Sequence, residues 1–408
     1  MTTTLEITGL ATGGDGVARD NGLVVFTPRT APGDLVTADV RVEGRVGRGA
    51  LVRVERAGAA RVAPMCAHYA PPDRCGGCQL QHVDINAQRE AKRLMVRDAF
   101  QRIARREVPL PEIHSGEAWR YRRALTLAIR RDGDRALAGL RACDDPEAVF
   151  DLHDCLITDR RVVEAWRAIM AAAAHLPAAA RLRGTVRWLD ERPSLVLEGG
   201  EEWPALGAFL DAVPSLAAVW WQAEGRRRRL VADRRPAGAP GASFVQVNAE
   251  VAARLQSDVV AKVLAYAPTT VVDAYSGTGD FAVQLAAHGI TVAAVELDEE
   301  ATAWAAQRLP APSRAIAARV EDLLPRLLPA DVVIMNPPRA GVDAKVTTLL
   351  RAAASRPKAI IYVSCDPATL ARDVSRLEGW RVNSLTCYDM FPQTAHVESV
   401  CELVPEAT

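Results

Sequence analysis

VVDAYSGTGDF (271–281) decides the fold: an apolar strand carries Asp273 near its end and runs into a turn, with glycines at 277 and 279, that opens a helix. Glycine there lets backbone approach a ligand closely, and the helix N-terminus behind it presents free N–H groups. The pattern recurs downstream. ITVAAVELD (290–298), ADVVIMNPPRAG (330–341) and AIIYVSCDP (359–367) are each an apolar strand that stops at a Gly, Pro or acidic loop. Strands alternating with amphipathic helices specify an α/β doubly wound parallel sheet, whose ligands sit at the carboxyl ends of the strands. The pattern starts at Ser243, and the Pro/Gly stretch RRPAGAPGA (234–242) marks the boundary before it.

Upstream the period changes. LVVF (23–26), LVTADVRV (35–42) and ALVRVERA (50–57) are short alternating or apolar strands, set between the turn-rich pieces TGGDG, RDNG and TAPGDL. Five or so such strands in so short a span suit a small β-barrel of the oligonucleotide-binding kind. A cysteine-bearing loop follows, then a helical pattern over Asp84–Arg106. Ala91, Leu94, Met95, Ala99 and Ile103 form its apolar stripe, and Arg89, Lys92, Arg93, Arg97, Arg102, Arg105 and Arg106 its basic face. That basic character continues into Arg120, Arg122 and Arg123. Residues 117–233 form a mixed, strand-rich α+β region with one Ala-rich helix.

The chain has 408 residues, enough for two or three domains. With 49% hydrophobic and 25% charged residues it is not collagen-like, mucin-like or disordered. The most apolar stretch, Ala168–Ala180, is broken by His175 and Pro177, so no membrane span is expected. MTTTLEITGL lacks a basic segment followed by an apolar core, and a cytoplasmic protein is expected. Residues 1–240 carry a net charge of +5 and residues 241–408 a net −5, which points to an anionic partner for the first part.

Glu296 ends the strand after the glycine loop, where a carboxylate accepts from ribose hydroxyls. Dinucleotide binding competes for such a loop, but the third glycine of G-x-G-x-x-G is absent. D-x-x-x-G-x-G with a strand-terminal Glu instead resembles the S-adenosylmethionine site of class I methyltransferases. Cys365, at a strand end beside NPPRAG, has the setting of a nucleophile. Glu398, in the apolar run QTAHVESVCEL, has that of a base with a raised pKa.

Together FVQVN (244–248), DAYSGTGDF, VVIMNPPRAG, YVSCDPATLARD and FPQTAHVES have the order and spacing of the RNA 5-methyluridine (uracil-C5) methyltransferases, and the chain resembles that family over essentially its whole length. GDGVARDNGLVVFTPRTAPGDLVTADV resembles its TRAM domain, an RNA-binding barrel. The resemblance implies three domains: a TRAM barrel over 1–62, a central domain over 63–83 and 113–242, and a methyltransferase domain over 84–112 and 243–408. It places Gln246, Tyr275, Asp280, Glu296, Asp322 and Asn336 at the S-adenosylmethionine site, with Cys365 as nucleophile and Glu398 as base. Thiolate addition to C6 of uracil would give C5 the electron density to take a methyl group, after which the base removes the C5 proton. Three positions depart from the family pattern: Asn336 replaces its usual Asp, and Asp366 and Asp280 replace its usual Asn. A 5-methylcytosine enzyme is the nearer rival, but such enzymes typically carry a cysteine in the Pro loop.

CGGCQLQHV resembles the family's iron–sulfur loop, so Cys66, Cys75, Cys78 and Cys155 are the expected ligands of a [4Fe–4S] cluster, with structural zinc as competitor. The TRAM barrel and cysteine set resemble the rRNA-directed members most, which implies 23S rRNA as substrate, with tRNA the alternative. A monomer is expected.

Overall fold

The computed structural model describes residues 2–132, 135–189, 192–235, 246–352 and 356–406, so most of the expected boundary stretch, at 236–242, lies outside the described residues. The chain divides into two compact units, one of Met1–Gln88, Glu117–Ala242 and Pro392–Ala395, the other of Arg89–Gly116, Ser243–Phe391 and His396–Thr408.

The first unit opens with a six-stranded, barrel-like sheet whose longest strands are Leu35–Glu43 and Val46–Arg56. Leu5, Ala18, Val25, Val36 and Ala38 alternate inward to make its core. Arg29, on the loop after Leu23–Thr27, donates to the carbonyls of Tyr69 and Cys75, both at 2.9 Å, and stacks over the Tyr69 ring. The barrel loop thereby grips the cysteine loop. A second six-stranded sheet has Arg181–Leu189 between Ala124–Asp132 and Arg192–Glu198. Helix Arg160–Ala171, capped by Asp159, lays Trp166 on it. Gly184 leaves the room, since a Cβ there would stand 2.5 Å from that indole ring.

The second unit contains the expected doubly wound sheet. Arg314–Ala317, Thr291–Glu296, Thr270–Ala274, Val332–Met335 and Ala359–Ser364 run parallel in that spatial order. Glu398–Pro405 then pairs antiparallel with Ala359–Ser364, and Trp380–Tyr388 antiparallel with Glu398–Pro405. The central strands are buried on both faces, as a sheet covered by helices requires. Among the described residues, no helix is long and apolar enough to cross a membrane.

The basic helix differs from its sequence reading. It runs Ile85–Ala99 and continues as a π turn, Phe100–Ala104. Ala91 and Met95 of the expected stripe are buried together with Val96, but past the wider turn the buried face moves on to Phe100 and Ala104 and leaves Ile103 exposed. Its cations are mostly clasps rather than a solvated face. Lys92 is fully buried, with Nζ 2.5 Å from Asp389 Oδ1 and 3.0 Å from the Phe391 carbonyl. Arg89 approaches the same carboxylate at 3.4 Å, Arg93 donates to Pro111 O, and Arg106 donates to the carbonyls of Val374, Leu377 and Trp380. In the first unit Arg120 is bidentate on Asp154.

Removing one member of a buried ion pair strands the other. Lys92→Ala is therefore expected to destabilise the chain by about 3–5 kcal/mol in urea unfolding. Replacing both partners with apolar residues, Lys92→Met with Asp389→Leu, should lose less than the single change.

Candidate active site and cysteine cavity

The parallel strands end together at a cavity of about 830 Å³ lined by Gln246, Tyr275, Glu296, Asn336, Cys365 and Glu398 among others. An adjoining cavity of about 500 Å³ shares Gln246, Gly277, Glu296 and Asn336 and adds Ser276 and Asp280. Seven of the eight residues expected from sequence thus meet at one sheet end. Asp322 does not. It is exposed, and its neighbour Glu321 lines the larger cavity instead. Consecutive residues of a helix point about 100° apart, so only one of the pair in Val320–Leu327 can face inward.

The glycine loop is shaped for a ligand with hydroxyl and amino groups. Gly277 lies at φ +54 with nothing within 4 Å of where a Cβ would stand, so its inner side is open. Gly279, at φ +77, is held close to helix Glu299–Arg308, where a Cβ would meet Ala305 Cβ at 2.8 Å. Glu296 is aimed by three backbone donors: Gly277 N at 2.9 Å, Leu297 N at 2.7 Å and Asp298 N at 2.9 Å. Asp280 is held by Arg308 at 3.1 Å and by the Thr278 hydroxyl at 3.0 Å. Among the described residues, Gln246 Oε1 and Ser276 Oγ are buried around this loop without a protein hydrogen-bond partner, and the Asp273 carboxylate has no side-chain partner, only the Ala282 N–H. Burial, with Asp280 and Glu296 adding like charge, pushes Asp273 up to about 7. Open space, an aimed carboxylate and orphaned acceptors fit a bound S-adenosylmethionine.

Cys365 follows directly on strand Ala359–Ser364, and Asp366 behind it caps helix Pro367–Ser375 through Thr369 N at 2.7 Å. The antiparallel register pairs Ser364 with Ser399, which brings Glu398 alongside Cys365. Burial raises the Cys365 thiol above its ordinary value, and the Glu398 charge raises it further. Burial pushes Glu398 up to about 7. Arg339 pulls both back. No role was assigned to it from sequence, although it stands within the quoted NPPRAG.

The Arg339 loop is fixed by the Cys365 helix. Thr369 Oγ1 donates to Arg339 O at 3.2 Å and Arg372 to Ala340 O at 2.7 Å. Fully buried Asp373 accepts from Val342 N at 3.0 Å, the Tyr362 hydroxyl at 2.7 Å, Arg372 and Arg376. Gly341, at φ +80, is required there because a Cβ would collide with the Asp373 carboxylate. Phe391 and His396, not singled out from sequence, stack edge-on at 5.9 Å and line the same cavity.

In the first unit Cys66, Cys75, Cys78 and Cys155 line one small cavity of about 80 Å³, and all four are free thiols. Burial pushes Cys75 up to about 11 and Cys78 to about 12, each thiol also feeling its neighbours. Among the described residues, however, no group of three or more His, Cys, Asp or Glu side chains stands ready to hold a metal ion.

A family profile described as tRNA (Uracil-5-)-methyltransferase matches residues 312–404. The chain is 34% identical to the 23S rRNA (uracil(1939)-C(5))-methyltransferase of Chromohalobacter salexigens, over 97% of this chain and 88% of that one. It is 33% identical to the protein of the same name from Halomonas elongata, with the same coverage. In fold it is similar to the Pyrococcus abyssi tRNA (uracil-54, C5)-methyltransferase solved with S-adenosyl-L-homocysteine, with a TM-score of 0.72, 23% identity, and 98% and 99% of the two chains covered.

Two titrations check the electrostatics. Alkylation of Cys365, followed residue by residue in a mass spectrometer, should accelerate only as pH rises past the ordinary thiol range. Arg339→Gln should move that midpoint up and Glu398→Gln should move it down. Glu398 holds its proton more tightly folded than unfolded, so ionising it opposes folding. Stability should therefore fall as pH rises from the ordinary carboxylate range through about 7, and Glu398→Gln should flatten that slope in pH-dependent urea unfolding.

Proposed function

The chain belongs to the RNA uracil-C5 methyltransferase family, and from that premise we propose that it methylates C5 of a uridine in RNA, foremost in 23S rRNA, through a covalent bond between Cys365 and C6. The observation that carries this reading is the pairing of Cys365 with Glu398 under Arg339, beside a cavity shaped for the methyl donor. Gln246, Tyr275, Asp280, Glu296 and Asn336 would hold S-adenosylmethionine, which supplies an electrophilic methyl group when bound. Asn336 lines both cavities. It keeps a carbonyl acceptor where an Asp would add a charge.

C5 of uracil is by itself too weak a nucleophile. Addition of the Cys365 thiolate to C6 turns the ring into an enolate with electron density at C5. The Arg339 guanidinium eases both charges of the site, lowering the thiol and the carboxyl together. Once C5 is methylated, Glu398, a base poised near neutrality, takes the C5 proton. The C6–S bond then breaks, restoring the ring double bond and the thiolate.

The barrel-like sheet at the N-terminus is in this reading the TRAM domain of residues 1–62, followed by the central domain of 63–83 and 113–242, in a monomer acting in the cytoplasm. We further propose that the four thiols of the small cavity are ligands of a [4Fe–4S] cluster. Their common cavity supports it, and their side chains would have to draw together around the cluster.

Cys365→Ala should abolish both methyl transfer and any covalent protein–RNA species. Glu398→Gln should slow turnover by about 10²–10⁴-fold. Its methylated adduct should accumulate as a slow band, carrying donor label, on a denaturing gel. An active Cys365→Ala enzyme would sink the mechanism. Mapping 5-methyluridine in 23S rRNA and tRNA from cells with and without this gene decides the substrate. Anaerobically purified protein should be brown with about four iron per chain, whereas colourless protein with one zinc would replace the cluster by a zinc site.

A further inference from the structure

Once the clasping arginines are set aside, solvent-facing ones gather on one face of the second sheet of the first unit. Along Arg181–Leu189, Leu182 and Val186 point into the core while Arg181, Arg183 and Thr185 occupy the opposite face. The register sets Arg181 across from Arg130, and Thr185 across from Thr126, the two hydroxyls hydrogen-bonded at 2.9 Å. Arg130, Arg141, Arg181 and Arg183 line an open groove of about 520 Å³ in which, among the described residues, Glu198 is the one acid.

We propose that this groove is a track for the sugar–phosphate backbone of a single-stranded segment of the substrate RNA, an inference that rests on the chain being an RNA enzyme. Side chains on one face of a strand recur about every 7 Å, a spacing that suits successive phosphates of an extended chain. Guanidinium forks take phosphate oxygens in pairs. The two carboxylates already present are weak competitors. Arg181–Glu147 leaves the two side chains 70% and 64% exposed, and Arg183–Glu198 leaves them 58% and 36% exposed, so a phosphate can displace either acid at little cost. Among the described residues neither Arg130 nor Arg141 has a carboxylate partner. Ala128, Gly139 and the threonine pair keep the floor shallow, and among the described lining residues no aromatic ring offers a base a stacking platform. The track therefore grips backbone and positions RNA without reading its sequence.

The test uses the full chain and a fluorescent uridine-containing single-stranded RNA, titrated by anisotropy over a range of salt concentrations. The triple variant Arg130→Gln, Arg141→Gln, Arg183→Gln should bind more weakly. Its plot of log affinity against log salt should be shallower by about 0.7 for each phosphate no longer neutralised, about 2 in all. Arg183→Lys, which keeps the charge, should retain most of the slope. Unchanged melting temperature and donor affinity mark the variants as folded. Should the triple variant unfold, Arg141→Glu, at an exposed position, must by itself weaken binding. Wild-type affinity and slope in folded variants, while the wild type methylates RNA, would overturn the groove assignment. A wild type that binds this RNA through the groove but methylates no uridine would overturn the enzymatic reading and leave the groove standing.

Discussion

The active end of the second unit depends on one strand pairing, Ala359–Ser364 antiparallel to Glu398–Pro405. The rest of the central sheet is parallel, and its loops deliver residues one strand end at a time. The reversed strand instead begins where its neighbour finishes, so its first residue faces the residue just past that neighbour's end. Here those two are Glu398 and Cys365. Glu398 is buried and Cys365 half-buried, and that burial makes both resist ionisation. A slip of one residue would turn Glu398 to the other face of the sheet, so the register that sets Ser364 against Ser399 also sets Glu398 beside Cys365.

Two buried carboxylates show how the same residue type serves opposite ends. Asp373 has its charge met by a hydroxyl, a backbone N–H and two guanidinium groups, and it welds the Arg339 loop to the Cys365 helix. Such a satisfied group holds geometry. Asp273, equally buried, has no guanidinium or hydroxyl partner among the described residues, and burial pushes it toward its neutral form against the Ala282 N–H. An unsatisfied group is tolerated where a ligand or ordered water can complete it, and Asp273 lies next to the loop that the donor would occupy. Satisfied hydrogen bonding is thus concentrated beside Cys365 and Arg339, and unfilled capacity beside the glycine loop.

Much of this was legible in the sequence. Strand-end motifs are compact, and each places a candidate residue within a few positions of an apolar run, so the sequence points to Gln246, Tyr275, Asp280, Glu296, Asn336, Cys365 and Glu398, which line the two adjoining cavities. What escaped depends on phase or on distant partners. Asp322 and Glu321 are adjacent acids, and only the rotation of their helix decides which faces the cavity. The stripe of the basic helix was misphased at its end because a π turn leaves no mark in a count of three and four. Lys92 reads as a surface lysine because the carboxylate that neutralises it lies 297 residues away.

The arginines show the same dependence on distant partners. Composition and local pattern treat Arg93, Arg106, Arg120 and Arg183 alike, yet the first three end on backbone carbonyls, Arg120 on those of Cys155 and Thr158 beside Asp154, while the fourth meets solvent. A guanidinium has five donors and no acceptor, so its fate turns on whether unpaired carbonyls lie within reach. Loop and helix ends supply those, which is why Arg106 caps the carbonyls around Leu377 and Arg29 the cysteine loop. The interior of a sheet supplies few, since most of its carbonyls are already spent on neighbouring strands, and Arg130 finds one, on Ile129, at 3.3 Å. Arginines planted along a central strand are therefore left with exposed acids or with whatever anion arrives from solution. Strand position rather than arginine content thus decides which of these arginines face solvent.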